Sequence, residues 1–174
     1  MRLSEAKSLI QSGEFSTRSE TVWADLGCGS GLFTKALAAM LYPGSTIYAV
    51  DRNPGEFSVS DTSDQILIRI MKSDFVSDTF QLNGLDGILM ANSFHFVKNK
   101  NAFLNRAKSW FRNKPAFLFV EYNTDKPNPW VPYPLSFQSL EELFTGLGYT
   151  RIEKLHEINS LYNSGKMYSA FITQ

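Results

Sequence analysis

The chain has little cysteine, no long apolar run and no excess of charge of either sign. Its single cysteine, Cys28, excludes an internal disulfide and is typical of a protein in a reducing compartment. No apolar run reaches the roughly 18 residues that a membrane-spanning helix needs. Residues Met1 to Ile10 carry charges where a signal peptide has an apolar core. We therefore expect a cytoplasmic protein without a membrane segment.

The 17 Lys and Arg residues balance the 17 Asp and Glu residues, so the net charge is zero. Such a chain has no long-range attraction for a polyanion, which disfavours a dedicated nucleic-acid binder. Hydrophobic residues make up 43% of the 174 residues, enough for a folded core without a disulfide or a metal ion. We predict a single domain, with a cap helix in residues 1–20 and a core in residues 21–174, and no metal site.

Short β-type runs alternate with longer helical patterns, which predicts βαβ units and a mainly parallel sheet. The predicted strands are Thr21–Leu26, Thr46–Val50, Ile66–Met71, Leu85–Ala91, Ala116–Glu121, Arg151–Asn159 and Lys166–Thr173. The predicted helices are Ser4–Gln11, with Ser4 as its N-cap, and the apolar stripes within residues 32–41, 103–111 and 137–147, the last capped by Ser136.

The last two predicted strands form an antiparallel hairpin around a turn at residues 163–165. They complete a predicted α/β fold, a Rossmann-like seven-stranded sheet that is mostly parallel and has helices on both faces. Residues 53–65 are rich in Ser, Asp and Gly and predict little or no helix. Residues 126–134 hold four of the seven prolines, which predicts a stiff, irregular loop.

A glycine turn follows the first predicted strand. Gly27, Gly29 and Gly31 allow a sharp turn and a close approach of a ligand to the backbone, and the helix behind them offers unpaired N–H groups. The spacing is G-x-G-x-G, with Leu32 where the dinucleotide fingerprint has its third glycine. A nicotinamide-dependent dehydrogenase is therefore only a distant alternative.

Two acidic residues accompany this turn. Asp51 ends the second predicted strand, and a carboxylate there suits the two hydroxyls of a ribose. Asp25 lies two positions before the first glycine, where an anion would repel phosphates. The acidic lining favours a nucleoside that carries positive charge.

On these residues the chain resembles the class I S-adenosylmethionine-dependent methyltransferases, from about Thr21 to the C-terminus. The resemblance implies S-adenosylmethionine as cofactor. It implies that the glycine turn passes the methionine part of this cofactor and that Asp25 helps to hold its amino group. The turn residues so assigned are Asp25, Gly27, Cys28, Gly29, Ser30 and Gly31. We interpret Cys28 as a small turn residue, because its neighbours supply no base to make it a nucleophile.

The residues after the next three strands resemble further motifs of that family. The resemblance assigns Asp51 to the ribose hydroxyls and Arg52 to a place beside the adenine. It assigns Asp74 to the adenine amino group and the Phe75 backbone to the adenine ring. The fourth strand ends at Asn92, which the resemblance places beneath the sulfonium of the cofactor.

The Asn/Asp-Pro-Pro-aromatic motif of enzymes that methylate amino nitrogens is absent, and residues 92–96 read Asn-Ser-Phe-His-Phe instead. This resembles small-molecule methyltransferases, such as quinone-biosynthesis C-methyltransferases. His95 is accordingly a candidate general base or acceptor contact, with a packed core histidine as the alternative. Asn123, Trp130 and Tyr133 are candidate acceptor contacts, and the two aromatic residues form either a lid or merely anchors for their loop.

Three functions remain open from the sequence. The first is methyl transfer from S-adenosylmethionine to a small-molecule acceptor by direct in-line displacement. The second is an RNA or protein methyltransferase that uses a basic face within residues 98–114, which is otherwise a solvated helix face. That basic face consists of Lys98, Lys100, Arg106, Lys108, Arg112 and Lys114. The third is a non-catalytic module that binds S-adenosylmethionine.

Overall fold

The computed structural model describes residues 1–12, 19–55, 65–78, 82–159 and 165–174. The helices within these ranges are α1 (Leu3–Ile10), α2 (Leu32–Ala38), α3 (Lys100–Ala107) and α4 (Phe137–Gly146). The strands are β1 (Val22–Leu26), β2 (Thr46–Asp51), β3 (Leu67–Lys72), β4 (Leu85–Ala91), β5 (Phe111–Tyr122), β6 (Arg151–Asn159) and β7 (Lys166–Thr173). Among the described residues, no helix combines the length and the apolar character needed to cross a bilayer.

The strands form one sheet in the order β3-β2-β1-β4-β5-β7-β6. Strands β1 to β5 are parallel, whereas β7 runs antiparallel to both β5 and β6. Tyr122 at the end of β5 is opposite Met167, and Asn159 at the end of β6 is opposite Lys166. One edge of the sheet therefore collects the C-terminal ends of β1 to β6 and the start of β7. Open α/β sheets bind ligands at this edge, where the strand order reverses between β1 and β4.

The alternation of side chains along each strand divides the core into two layers. Leu118 and Val120 of β5 pack on the side of the sheet that α1 and α2 cover. Phe117 and Phe119 point the other way, into a layer that includes Phe103 of α3 and α4 residues such as Leu140 and Phe144. The predicted Rossmann-like fold with an antiparallel C-terminal hairpin is thus confirmed.

Several predicted boundaries are wrong. Helix α1 begins at Leu3, and Arg2 rather than Ser4 is its N-cap, because the Glu5 carboxylate reaches back to accept from the Arg2 backbone N–H at 2.7 Å. Helix α2 ends at Ala38 rather than near Leu41. The sequence predicts a helix through residue 111, but Phe111 begins strand β5. It joins the strand because it pairs with Leu85 of β4.

Ser136 caps α4 as predicted, since its side chain accepts from the backbone N–H of Ser139. Most of the segment 53–65 lies outside the described residues, and so do positions 163 and 164 of the predicted hairpin turn.

Candidate functional site

The glycine turn between β1 and α2 has a backbone that other residues rarely adopt. Gly27, Gly29 and Gly31 have φ angles of 85°, 52° and 80°, in the left-handed region that favours glycine. The backbone N–H of Gly27 donates to the carbonyl of Val50 at 2.7 Å. A Cβ atom on Gly27 would lie 2.5 Å from the Cβ of Ser93. The turn is therefore packed between β2 and the loop after β4.

Asp51 supports this turn from the end of β2. Its Oδ2 accepts from the Gly29 backbone N–H at 2.9 Å, and its Oδ1 accepts from that of Asn53 at 2.8 Å. A carboxylate has about four acceptor positions, so each oxygen retains capacity for a further donor. Asp51 thus fits the ribose role that the resemblance implied.

Asp25 lies behind the turn and is only 1% exposed. Its Oδ2 accepts from the Thr34 hydroxyl at 2.5 Å, whereas its Oδ1 has no hydrogen-bond partner among the described residues. Burial and the negative charge of Asp51 raise the pKa of Asp25 to about 7, although the hydrogen bond from Thr34 acts in the opposite direction. A buried acceptor without a donor is costly, and an ammonium group would satisfy it.

Cys28 of the same turn is buried. Burial, with the charges of Asp25 and Asp51, raises the pKa of its thiol to about 12. A thiol with such a pKa has almost no thiolate at neutral pH, which supports its interpretation as a small turn residue.

The residues predicted to hold an adenine lie after β2 and β3. The Arg52 guanidinium is 3.9 Å from Oδ2 of Asp74, and Oδ1 of Asp74 accepts from the Val76 backbone N–H at 2.9 Å. The buried ring of Phe75 packs edge-on against Phe103, with 6.1 Å between ring centroids. Asp74 therefore stabilises the turn that follows β3, and its contact with an adenine stays a prediction.

Asn92, directly after β4, combines two unusual features. It is the only residue other than glycine with a positive φ among the described residues, at 53°, a conformation that costs free energy and concentrates at functional sites. Its side-chain Oδ1 is buried and has no hydrogen-bond partner in the described part of the chain. Its backbone N–H donates to the carbonyl of Val120 at 2.8 Å, which ties it to β5.

A cleft of about 310 Å³ adjoins Asn92 and the glycine turn. It extends from the start of α2 across the ends of β4, β5 and β6. Its lining consists of Met1, Ser30, Leu32, Phe33, Asn92, Tyr122, Ile158, Asn159 and Met167. A larger cleft of about 510 Å³ lies between α1 and β6, but no glycine-turn residue lines it. We assign the site to the smaller cleft because its lining includes Asn92, whose side-chain Oδ1 has no partner among the described residues.

His95 lies in a short 3₁₀ turn, Phe94–Phe96, and pairs with Glu121 near the end of β5. Both side chains are buried, with exposed fractions of 3% and 1%. The His95 Nδ1 is 2.8 Å from the Glu121 Oε2, and the His95 backbone N–H donates to Oε1 at 3.2 Å. The sequence did not single out Glu121 as a partner of His95, although it is the one acidic residue in the predicted strand Ala116–Glu121.

The three predicted acceptor residues have different surroundings. The Tyr133 backbone N–H donates to the carbonyl of His95 at 3.0 Å, so Tyr133 lies beside the 3₁₀ turn. The Asn123 side chain instead accepts from the Phe137 backbone N–H and donates to Glu157, both at 3.0 Å. Trp130 is 80% exposed. The structure therefore brings only Tyr133 close to His95.

Half of the basic face has structural partners. The Arg112 guanidinium binds the Asp86 carboxylate at 2.7 and 2.5 Å. Arg106 donates to the carbonyl of Phe75 at 2.5 Å, and Lys100 donates to the carbonyl of Tyr133 at 2.7 Å. The exposed cations that remain on this face are Lys98, Lys108 and Lys114.

Comparison with solved structures supports the fold. A SAM dependent methyltransferase from Aquifex aeolicus is 18% identical, with a TM-score of 0.62 over 99% of this chain and 98% of that chain. The Burkholderia thailandensis 1,6-didemethyltoxoflavin-N1-methyltransferase, solved with 1,6-didemethyltoxoflavin and S-adenosylhomocysteine bound, is 16% identical. It has a TM-score of 0.73 over 99% of this chain and 77% of that chain.

The CurJ carbon methyltransferase is also 16% identical, with a TM-score of 0.65, and the match covers 88% of this chain and 48% of that chain. At these identities the likeness shows a shared fold. A comparison with curated protein sequences gave no significant match.

The sequence itself matches the family described as "Methyltransferase domain" over residues 24–119. This match covers more than half of the chain, including the glycine turn, Asp51, Asn92 and His95. The chain therefore belongs to the methyltransferase domain family, as a class I S-adenosylmethionine-dependent methyltransferase.

Proposed function

We propose that this protein transfers a methyl group from S-adenosylmethionine to a small-molecule acceptor by direct in-line displacement. The observation that carries the proposal is the cleft of about 310 Å³ that joins the glycine turn to Asn92. Pockets for small ligands begin at about this volume. A cleft of this size suits a small acceptor better than an RNA or a folded protein.

We assign the cofactor contacts to the edge formed by β1, β2 and β3. The glycine turn leaves its backbone accessible, and the Asp51 carboxylate accepts from the ribose hydroxyls. The unpartnered Oδ1 of Asp25 accepts from the amino group, and Asn92, after β4, lies beneath the sulfonium. Arg52, Asp74 and the Phe75 backbone border the adenine. When bound, S-adenosylmethionine supplies a methyl group that its sulfonium already activates for transfer.

Because the donor is activated, the protein needs no covalent intermediate. Its main contribution is to align the nucleophile of the acceptor with the methyl carbon and the sulfur. Such alignment supplies roughly 7–11 kcal/mol in favourable cases. Asn92 is suited to this task, because its positive φ and its hydrogen bond to Val120 fix it in the lining of the cleft.

The cleft lining indicates the character of the acceptor. Apart from Ser30, Asn92 and Asn159, its residues are apolar or aromatic, and none of the lining side chains is charged. An uncharged, mainly apolar acceptor therefore fits best. The 1,6-didemethyltoxoflavin-N1-methyltransferase, solved with bound 1,6-didemethyltoxoflavin, supports a small molecule as the acceptor. We also propose a cytoplasmic location, in keeping with the free Cys28.

A macromolecular acceptor has less support. Arg106, Arg112 and Lys100 are engaged within the protein, so only half of the proposed basic face is available to a phosphate backbone. Affinity for nucleic acid grows with the number of phosphates neutralised. Three cations would give weak binding with a shallow salt dependence.

The test has two stages. S-adenosylhomocysteine is titrated into the protein by calorimetry, and a saturable heat is expected. Formation of S-adenosylhomocysteine from S-adenosylmethionine is then measured with small acceptors, an RNA pool and a protein pool. Turnover confined to small acceptors is expected. Absence of heat contradicts cofactor binding, turnover of a polymer contradicts the acceptor class, and binding without any turnover favours a non-catalytic module.

A further inference from the structure

Arg106 belongs to the basic face by sequence, but its side chain turns into the protein. Its Nη2 donates to the carbonyl of Phe75, in the turn after β3, at 2.5 Å. The guanidinium also lies over the rings of Phe103 and Trp110, 5.5 and 5.6 Å from their centroids, where the ring faces attract a cation. Arg106 therefore links α3 to the turn after β3.

This inward position has a cost. The Nε of Arg106 is buried and has no hydrogen-bond partner in the described part of the chain. A buried donor without an acceptor raises the free energy of the folded state, and an arginine extended into solvent would not have this penalty. A charged donor forms a stronger hydrogen bond than a neutral one. The bond to Phe75 and the two ring contacts are the interactions that offset the cost.

Phe75 connects the turn after β3 with the glycine turn. Its buried ring packs edge-on against Phe103 of α3. The ring atom Cε1 is also 3.3 Å from the place that a Cβ on Gly27 would occupy, so the ring lies directly against the glycine turn. The backbone of Phe75 belongs to the segment that we assign to the adenine. A shift of Phe75 would therefore move the backbone that borders the adenine.

Packing holds this turn against α3 only in part. A cleft of about 390 Å³ lies between them, and its lining includes Val76, Val97, Ala102 and Arg106. Well-packed interiors leave few voids larger than a water molecule, so a cleft of this size means that apolar contacts between Val76 and the start of α3 are incomplete. The hydrogen bond from Arg106 to the residue before Val76 is a direct link across this junction.

We propose that Arg106 is a positioning residue that holds the Phe75 backbone, and with it the turn after β3, in the orientation that binds the adenine of the cofactor. The inference rests on the proposed function, which assigns the adenine to the surroundings of Asp74 and Phe75. It adds that a side chain of α3, outside the cofactor contacts, determines how well the base is recognised. Loss of Arg106 is expected to affect recognition of the base more than binding of the rest of the cofactor.

The decisive measurement compares two ligands that differ only in the base. S-inosylhomocysteine has an oxygen where S-adenosylhomocysteine has the adenine amino group, so it lacks the donor assigned to Asp74. By calorimetry we expect the wild type to bind S-adenosylhomocysteine more tightly than the inosyl ligand. Arg106→Met retains an apolar side chain without a donor. In this variant we expect the affinity for S-adenosylhomocysteine to fall about tenfold and the preference to shrink.

Three results would overturn the proposal. The first is an equal loss of affinity for both ligands in Arg106→Met, which a general loss of structure would cause. The second is no loss for either ligand, and the third is a wild type that binds both ligands equally. Arg106→Lys keeps the charge and a donor but not the planar guanidinium, so an intermediate loss is expected. This variant carries the test if a melting curve shows that Arg106→Met does not fold.

Lys108→Met is the matched control, because it removes an exposed cation of the same basic face. It should bind both ligands as the wild type does, and a loss of preference as large as that of Arg106→Met would contradict a specific role of Arg106. Failure of the wild type to bind S-adenosylhomocysteine overturns the proposed function. Normal binding by the wild type without a selective loss in the Arg106 variants overturns only the role of Arg106, so the two failures are distinguishable.

Discussion

The ligand-binding edge of the sheet has two halves that are built differently. The cofactor half, at the ends of β1, β2 and β3, is organised by the backbone: the glycine turn, the Val50 carbonyl and the amides that donate to Asp51. The acceptor half, at the ends of β4, β5 and β6, is organised by side chains that come from distant positions, such as His95 with Glu121. Backbone geometry recurs in short motifs, whereas side-chain pairing across strands is particular to each protein.

The largest effect is expected from Gly29→Val in the cofactor half. A Cβ on Gly29 meets no atom of the described residues within 4 Å, so by our assignment the new side chain projects into the space of the cofactor. We expect loss of detectable S-adenosylhomocysteine binding by calorimetry. The matched control is Gly84→Val, since Gly84 has a similarly positive φ and equally open space but lies before β4, at the opposite edge. If both variants bind S-adenosylhomocysteine with equal affinity, the glycine turn does not contact the cofactor.

The second effect is expected from His95→Asn in the acceptor half. The asparagine retains a donor for Glu121 but has no basic nitrogen. Turnover should fall about 10²–10⁴-fold, the usual contribution of general base catalysis, whereas S-adenosylhomocysteine affinity should not change. His156→Asn is the control, because its ring lies on β6 with Nε2 at 3.3 Å from the Gln11 carbonyl and lines no part of the assigned cleft. If His95→Asn loses both activity and affinity for S-adenosylhomocysteine, the two halves of the site are not independent.

A smaller effect is expected from Asp51→Ala. Loss of charge-assisted hydrogen bonds should weaken cofactor binding by about 1–3 kcal/mol. Calorimetry checks the affinity, and a melting curve checks that the glycine turn survives without its support. Glu153→Ala, which removes an exposed carboxylate of β6, is the control. Unchanged affinity in folded Asp51→Ala would refute the ribose contact.

The smallest effect is expected from Asp25→Asn, measured without cofactor. The folded-state pKa of Asp25, about 7, exceeds the unfolded value, so its contribution to the free energy of unfolding is largest below about pH 4 and declines as the pH rises to 7. The asparagine removes this decline. At pH 8 the variant should be about 1–2 kcal/mol more stable than wild type, and this difference should shrink at pH 5. Urea unfolding at both pH values measures it, and a constant difference would contradict the ionisation of Asp25.

The sequence predicted the central strands well because their apolar runs are continuous and buried on both faces, as in Leu85–Ala91 of β4. The largely exposed strand β6 was predicted from its β-type run before the hairpin turn. Ends were less predictable, because pairing and capping decide them. Phe111 joins β5 through its partner Leu85, and Arg2 caps α1 through Glu5. Neither interaction can be inferred from helix or strand periodicity.

The same distinction applies to the site. Asp51 and the glycines could be singled out because their spacing along the chain forms a motif, and the structure brings Asp51 onto the Gly29 backbone. The contact of Glu121 with His95 could not be predicted because the two residues are 26 positions apart. Asn123 directly follows β5, but its side chain accepts a hydrogen bond from the Phe137 N–H at the start of α4. Proximity in sequence to a strand end does not determine the direction of a side chain.

The loop of residues 126–134 is held by the main-chain atoms of Tyr133: its N–H donates to the His95 carbonyl in the 3₁₀ turn, and its carbonyl accepts from the Lys100 side chain at the start of α3. These hydrogen bonds do not depend on the side chains of the loop, including that of Trp130. Substitutions in the loop would therefore leave its main-chain bond to His95 in place, so this segment can vary in sequence without moving the 3₁₀ turn.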